Sequence, residues 1–174
     1  MKTKTESILG TLNVLAWVAF FALMLQAGAY LFSFCMTIIH PEGAKNFYNG
    51  LNLYSLEQYS YFNYAITVLL MVGMTVLEAY TAYFIIKLLS GIKLKSPFTP
   101  EIAKLMETIS KLIFGIWLLA MAFDAHAIWM MELVPGLKED ITSGGFIFLA
   151  GVVFVLAQVF KKGVEIQSEN ELTV

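Results

Sequence analysis

The chain has 174 residues, of which 59% are hydrophobic and 14% are charged, with a formal net charge of −2 and a mean hydropathy of +0.73. A soluble domain of this length carries far more charge on its surface. The net negative charge also argues against a basic surface for nucleic acid. The composition indicates an integral membrane protein, with the lipid bilayer as its first partner and no direct nucleic-acid binding.

Four apolar segments are long enough to cross a bilayer, because a helix needs about 20 residues to span its hydrocarbon core. They run over about 8–39, 61–86, 112–131 and 141–160. None alternates like a strand, and all four prolines fall between the segments, where they interrupt no helix hydrogen bond. The sequence therefore predicts an all-α protein, one domain built as a bundle of four transmembrane helices.

The first segment carries no charged residue between Glu6 and Glu42 and is longer than one crossing needs. Its apolar run continues past the small residues 27–29, so we expect a retained helix and not a cleaved signal peptide. Such a helix is expected to tilt or to project from the bilayer.

The loop after the first segment, residues 47–64, contains Tyr48, Tyr54, Tyr59, Tyr61 and Tyr64. Tyrosine favours the headgroup level, where its ring is apolar and its hydroxyl is wet. The pattern favours an interfacial belt or a short surface helix, with a platform for an external ligand as the alternative.

The stretch 96–105, SPFTPEIAKL, predicts that the third helix begins near Pro100. Thr99 fits an N-cap and Pro100 fits the first helical position. The first turns of this helix are expected in the cytoplasm, where lysines are able to contact anionic lipid headgroups. The polar tail 161–174 is expected to prolong the fourth helix for a turn or two beyond Gly163.

Every basic residue is lysine, and nine of the eleven lie on one side if the N-terminus is cytoplasmic. The positive-inside rule therefore favours both the N-terminus and the C-terminus in the cytoplasm. The expected location is the bacterial cytoplasmic (inner) membrane, crossed several times.

Polar side chains interrupt the apolar segments at Gln26, Glu78, Asp124 and His126. Counted from the segment ends, the first three are expected at different depths, as a loose ladder on three helices. Burial disfavours a charged carboxylate, and no basic residue lies at that depth. Three interpretations remain open: neutral groups that fix helix register, proton or ion handling, and a site for a lipid or a small cationic ligand.

Asp124 and His126 are two residues apart and point about 200° away from each other on a helix. Asp124 shares its face with Ala120 and Ala127, which leave room for a neighbouring helix. His126 is expected to act as a hydrogen-bonding residue nearer the outer edge.

Enzymatic chemistry has little support in the sequence. The single cysteine, Cys35, argues against disulfide exchange, and two histidines give little support for haem ligation. No glycine-rich loop with a lysine is present to bind a nucleotide phosphate. We therefore predict no catalytic residue, no metal site and no cofactor.

Two stretches resemble an uncharacterised bacterial family of YoaS-like membrane proteins. They are SPFTPE after the second segment and VFKKGVEIQSENELTV after the fourth, and the matching positions are Pro97, Phe98, Phe160, Gly163, Glu169, Asn170, Leu172, Thr173 and Val174. The resemblance implies a small four-helix inner-membrane protein with no established activity. A helix-turn-helix regulator is encoded beside many members, which implies a regulatory or sensory pairing.

Two functions are carried forward. The first is a non-enzymatic regulatory or interaction protein that acts through its cytoplasmic loop and tail, with a protein partner contacted by Phe98, Glu169, Asn170, Leu172, Thr173 and Val174. The second is a homo-oligomeric proton- or ion-coupled transporter or channel that uses the intramembrane carboxylates. An enzyme acting on lipid is the third hypothesis, and it lacks a convincing nucleophile.

Overall fold

The computed structural model describes residues 4–48, 51–92, 99–135, 137 and 145–172, and within these ranges the protein is helical. The elements are α1 (Lys4–Ile39), a 3-10 helix (Pro41–Asn46), α2 (Tyr54–Tyr59), α3 (Tyr61–Gly91), α4 (Pro100–Leu133) and α5 (Gly145–Leu172). The only β-type pairing in the described ranges is an isolated bridge between Tyr48 and Leu51. The all-α prediction is confirmed.

Three of the described helices are long and apolar enough to cross a membrane, so the protein is a multi-pass membrane protein. They are Glu6–Ile39, Tyr61–Gly91 and Pro100–Leu133, with hydropathies of 2.2, 1.7 and 1.7. A helix of 34 residues is about 51 Å long, which exceeds the roughly 30 Å of hydrocarbon. Each helix therefore tilts or projects beyond the bilayer, as the sequence predicted for the first. The start of the predicted fourth span, residues 141–144, lies outside the described residues.

Local capping explains where α3 and α4 begin. The Ser60 side chain accepts a hydrogen bond from the Asn63 backbone N–H, and the Thr99 side chain accepts one from the Ile102 N–H. Each bond satisfies a backbone donor that has no partner inside the helix. Pro100 then occupies the first position of α4, so the predicted start of this helix is confirmed.

The long helices pack in chain order, α1 on α3, α3 on α4 and α4 on α5. Asn13 Nδ2 donates to Ser90 Oγ at 2.8 Å, and the Phe20 and Tyr83 rings lie 6.3 Å apart, so α1 and α3 run antiparallel. At the α3–α4 interface Gly115 lies close to the Leu77 side chain, which lets the backbones approach.

The best-packed core lies at one end of the helices, beneath the segment Pro41–Tyr59, which we call the cap. From the cap, Ala44, Phe47, Leu53 and Leu56 are each at most 2% exposed. They pack with Tyr64 of α3 and Met130 of α4, both fully buried. We call this end of the molecule the cap end. The opposite end is the one at which α3 ends and α4 begins.

One hydrogen bond fastens the cap to α1, and a second joins α3 to α1 beneath it. Ser33 Oγ donates to the Phe47 carbonyl oxygen at 2.6 Å, and the Tyr64 hydroxyl donates to Thr37 Oγ1 at 3.0 Å. The expectation of an interfacial tyrosine belt is wrong for Tyr64, which is 0% exposed. The leucines between the tyrosines form a core that draws Tyr64 inward, while Tyr59 stays 52% exposed.

Candidate functional site

Gln26 and Glu78 lie at the same level of the α1–α3 pair. Asn13 is level with Ser90, and Phe20 is level with Tyr83. Each residue forward along α1 therefore corresponds to one residue backward along α3. Gln26 is six residues beyond Phe20, and Glu78 is five residues before Tyr83. Gln26 and Glu78 were expected at different depths, and the structure places them at the same depth.

Tyr30 joins these two residues into a cluster. Gln26 Nε2 donates to the Tyr30 hydroxyl at 2.7 Å, which holds this hydroxyl near the level of Glu78. The Tyr30 ring also meets the Tyr48 ring edge-on, at 4.9 Å between centroids. We call Gln26, Tyr30 and Glu78 the polar cluster. The sequence prediction missed Tyr30, although its position four residues after Gln26 was the available signal.

Asp124 lies far from the polar cluster. Leu77 is level with Gly115, which places Glu78 level with Phe114, ten residues before Asp124. The two carboxyl groups are thus about 15 Å apart along the helix axis. Asp124 is half-buried, between Ala120 and Ala127, and the described residues offer its carboxyl no hydrogen-bond partner.

His126 joins α4 to the start of α3. Its Nε2 lies 3.3 Å from the Asn63 backbone oxygen, and its ring meets Trp129 edge-on at 6.3 Å. The imidazole thus satisfies a backbone carbonyl in the first turn of α3, close to the cap, and does not approach Asp124.

A pocket of about 320 Å³ opens at the opposite end, between the first turns of α4 and the middle of α5. Its lining is apolar at the base and charged at the rim, and comprises Pro100, Ala103, Lys104, Glu107, Ala157, Gln158, Lys161, Val164 and Glu165. This is a site that the sequence prediction did not include, because α4 and α5 are far apart in sequence at this end.

Two ion pairs border this pocket. Lys111 Nζ lies 2.6 Å from Glu107 Oε1, and Lys162 Nζ lies 2.9 Å from Glu165 Oε2. The hydrogen bond from Lys162, and then its charge, lower the pKa of the Glu165 carboxyl, which is therefore ionised at neutral pH.

The predicted partner-contact residues are only partly described. Phe98, Thr173 and Val174 lie outside the described residues, whereas Glu169, Asn170 and Leu172 belong to α5 without a described side chain. The helix continues nine residues beyond Gly163, which confirms that the tail prolongs it. In the described part of the chain no three His, Cys, Asp or Glu side chains gather to hold a metal ion, and Cys35 is exposed.

Long apolar helices with a few polar groups between them define a multi-pass helical membrane protein. Residues 47–174 match the model of a family described as protein of unknown function (DUF2975), and the chain belongs to this family. The predicted membership of an uncharacterised family is confirmed, and the match covers both stretches on which the resemblance was based. It spans α2 to α5 and leaves α1 outside. No curated protein and no solved structure matches the chain.

Proposed function

We propose that this protein is a non-enzymatic regulatory or interaction protein of the bacterial inner membrane. It crosses the bilayer four times, with both termini in the cytoplasm. Residues 145–160 of α5 carry no charge and pack along α4, which supports a fourth crossing. Nine of the eleven lysines then fall on the cytoplasmic side, at the opposite end, and the cap lies outside.

The observation that carries the proposal is the length of α5. The helix continues twelve residues past Phe160, the last residue of the apolar run, to Leu172. Twelve residues of helix extend about 18 Å. A helix held at its base by α4 presents a fixed surface to a partner, and a groove-type receptor binds such a helix along one face.

Removal of the end of α5 tests this proposal. We compare the full chain with a chain that ends at Val164, both purified from native membranes after cross-linking and analysed by mass spectrometry. We expect one protein to be captured reproducibly by the full chain and at least about tenfold less by the shorter one, because most of the projecting helix is lost.

The control for this experiment is the substitution Glu42→Gln, in the cap on the other side of the membrane, which should capture the partner normally. The two chains must also be present in the membrane in equal amounts. Equal capture by the full and shortened chains, or capture of nothing by either, would contradict a docking role for the tail.

A homo-oligomeric proton- or ion-coupled transporter is the second candidate, and the polar cluster is the observation that favours it. A carboxyl group beside a hydrogen-bonded tyrosine and glutamine is a plausible proton-binding group inside a membrane. Four helices are few for a transport path, so several copies would be required.

The substitution Glu78→Gln separates the two candidates. Glutamine keeps the size and hydrogen-bonding capacity of the side chain, so we expect partner capture to persist and the free energy of unfolding to change by less than about 1 kcal/mol. We also expect proton flux in liposomes to stay at the level of empty vesicles. A flux that is abolished by Glu78→Gln and kept by Glu42→Gln would instead support the transporter.

A further inference from the structure

The pocket between α4 and α5 has a surplus of positive charge. Lys104 and Lys161 line it, and in the described part of the chain neither ammonium group forms an ion pair. The two glutamates at the rim are already paired, Glu107 with Lys111 and Glu165 with Lys162. Lys161 is close enough to both glutamates for their charges to interact, yet each carboxylate has a nearer lysine. The surplus therefore comes from the two unpaired lysines.

The pocket lies where three helices leave the apolar layer. Gly91 of α3 lies close to Ile102 of α4, so Lys87 and Lys104 are within about one helical turn of each other along the axis. Lys161 directly follows the apolar run of α5 and faces the same pocket. Lysines at one level on three helices mark the headgroup layer of a leaflet, where ammonium groups meet lipid phosphates.

The base of the pocket suits a molecule with an apolar part. Ala103 is 9% exposed and Ala157 is 2% exposed, and these small side chains leave the space that the pocket occupies. On the same face of α5, four residues before Gln158, Phe154 is 50% exposed and offers an apolar surface next to the opening. The volume of about 320 Å³ is at the lower end of the range for small-molecule sites. A pocket of this size is suited to a lipid headgroup.

From these observations we infer that the pocket is a specific site for an anionic phospholipid of the adjacent leaflet. The phosphate lies between the ammonium groups of Lys104 and Lys161. The glycerol unit lies against Ala103 and Ala157, and the acyl chains follow the exposed apolar face of α5. This inference goes beyond the proposed function and does not depend on it, since neither a protein partner nor the direction of insertion enters the argument.

Native mass spectrometry of the full chain in detergent tests the inference. The probes are phosphatidylglycerol and phosphatidylcholine with the same acyl chains, with inorganic phosphate as a third arm. We expect phosphatidylglycerol to remain bound and phosphatidylcholine to dissociate. The double substitution Lys104→Gln and Lys161→Gln should weaken phosphatidylglycerol binding roughly 10- to 30-fold, because each lysine near a lipid surface contributes several-fold.

The matched control is the double substitution Lys2→Gln and Lys4→Gln, which removes the same charge at the other end of the chain's sequence and should leave binding within about twofold. A second variant, Gln158→Glu, keeps both lysines and adds a negative charge to the lining. It should weaken binding about fivefold, and it tests the pocket even if the double variant is unstable.

Three outcomes would overturn the inference. The first is equal binding of phosphatidylglycerol and phosphatidylcholine. The second is an equal loss in the pocket variant and in the N-terminal control, which would mean that net charge alone governs binding. The third is binding of inorganic phosphate as strong as that of phosphatidylglycerol, which would assign the pocket to a soluble anion. Capture of a protein partner by the tail is measured in a separate experiment. The lipid site and the docking role of the tail are therefore able to fail independently.

Discussion

The substitution Tyr64→Ala is expected to lower the free energy of unfolding by about 3–5 kcal/mol, the range for removal of a large side chain from a packed core. Tyr64 is 0% exposed and its ring contacts those of Phe34, Phe47 and Tyr61. It joins α1, α3 and the cap.

Unfolding of the purified protein in detergent, followed by heat or denaturant, measures this effect. Tyr64→Phe serves as the first control, because it removes only the hydroxyl that donates to Thr37 and should cost about 1 kcal/mol. Tyr59→Ala is the second control, since this side chain is 52% exposed and its loss should change stability by less than about 0.5 kcal/mol. Equal effects of Tyr64→Ala and Tyr59→Ala would show that the cap core does not stabilise the fold.

The starts of α3 and α4 were predictable because their signals are local. The apolar runs set the segments, and the sequence Thr99-Pro100 gave the first residue of α4 from its capping group and proline alone. The same reasoning placed the first turns of α4 in the cytoplasm. The packing brings these turns beside the end of the apolar run of α5, a neighbourhood that local signals did not reveal.

The polar cluster was only half predictable, because it depends on the register between two helices. Depth counted from each segment's own end placed Gln26 and Glu78 at different levels, whereas the contact between Asn13 and Ser90 fixes them at one level. A helix of 36 residues has no unique point at which it enters the membrane, so counting from its end is a poor measure of depth.

The separation of Glu78 and Asp124 restricts the transport hypothesis. A direct proton transfer requires groups within hydrogen-bond reach, about 3 Å, and the two carboxyl groups are about 15 Å apart along the axis. At the level of Glu78, Gln26 bonds to the Tyr30 hydroxyl, and the Tyr30 ring meets that of Tyr48 in the direction of the cap. A direct proton transfer between Glu78 and Asp124 is therefore ruled out by their separation.

The buried core of the cap was missed because its signal is spread over two short helices and the ends of two long ones. Between the tyrosines of 47–64, the leucines at positions 51, 53 and 56 follow no helical or strand-like period. They become buried only when the 3-10 helix, α2 and the ends of α1 and α3 meet. Long-range packing of this kind overrides the local preference of tyrosine for an interface.

Leu56→Asp is expected to open the cap while the long helices remain folded. Leu56 is 1% exposed, so the substitution removes about 1.5–3 kcal/mol of apolar burial and adds the cost of a buried polar group, for a total of about 3–6 kcal/mol. Leu56 belongs to the same buried cluster as Ala44, Phe47 and Leu53, so a charge at this position loosens the whole cap. We expect trypsin to cleave after Lys45 at least about tenfold faster than in the unchanged protein, because proteolysis follows the population of the open form.

Tyr59→Asp is the matched control for this experiment, since it introduces the same charge in the same short helix at a side chain that is 52% exposed. Cleavage after Lys45 should be unchanged there, and circular dichroism should show the same helical content in all three proteins. If Leu56→Asp abolished membrane helicity as well, the cap and the long helices would form one cooperative unit. If both variants resisted trypsin equally, the buried leucines would not hold the cap closed, and its role as the stable end of the molecule would be lost.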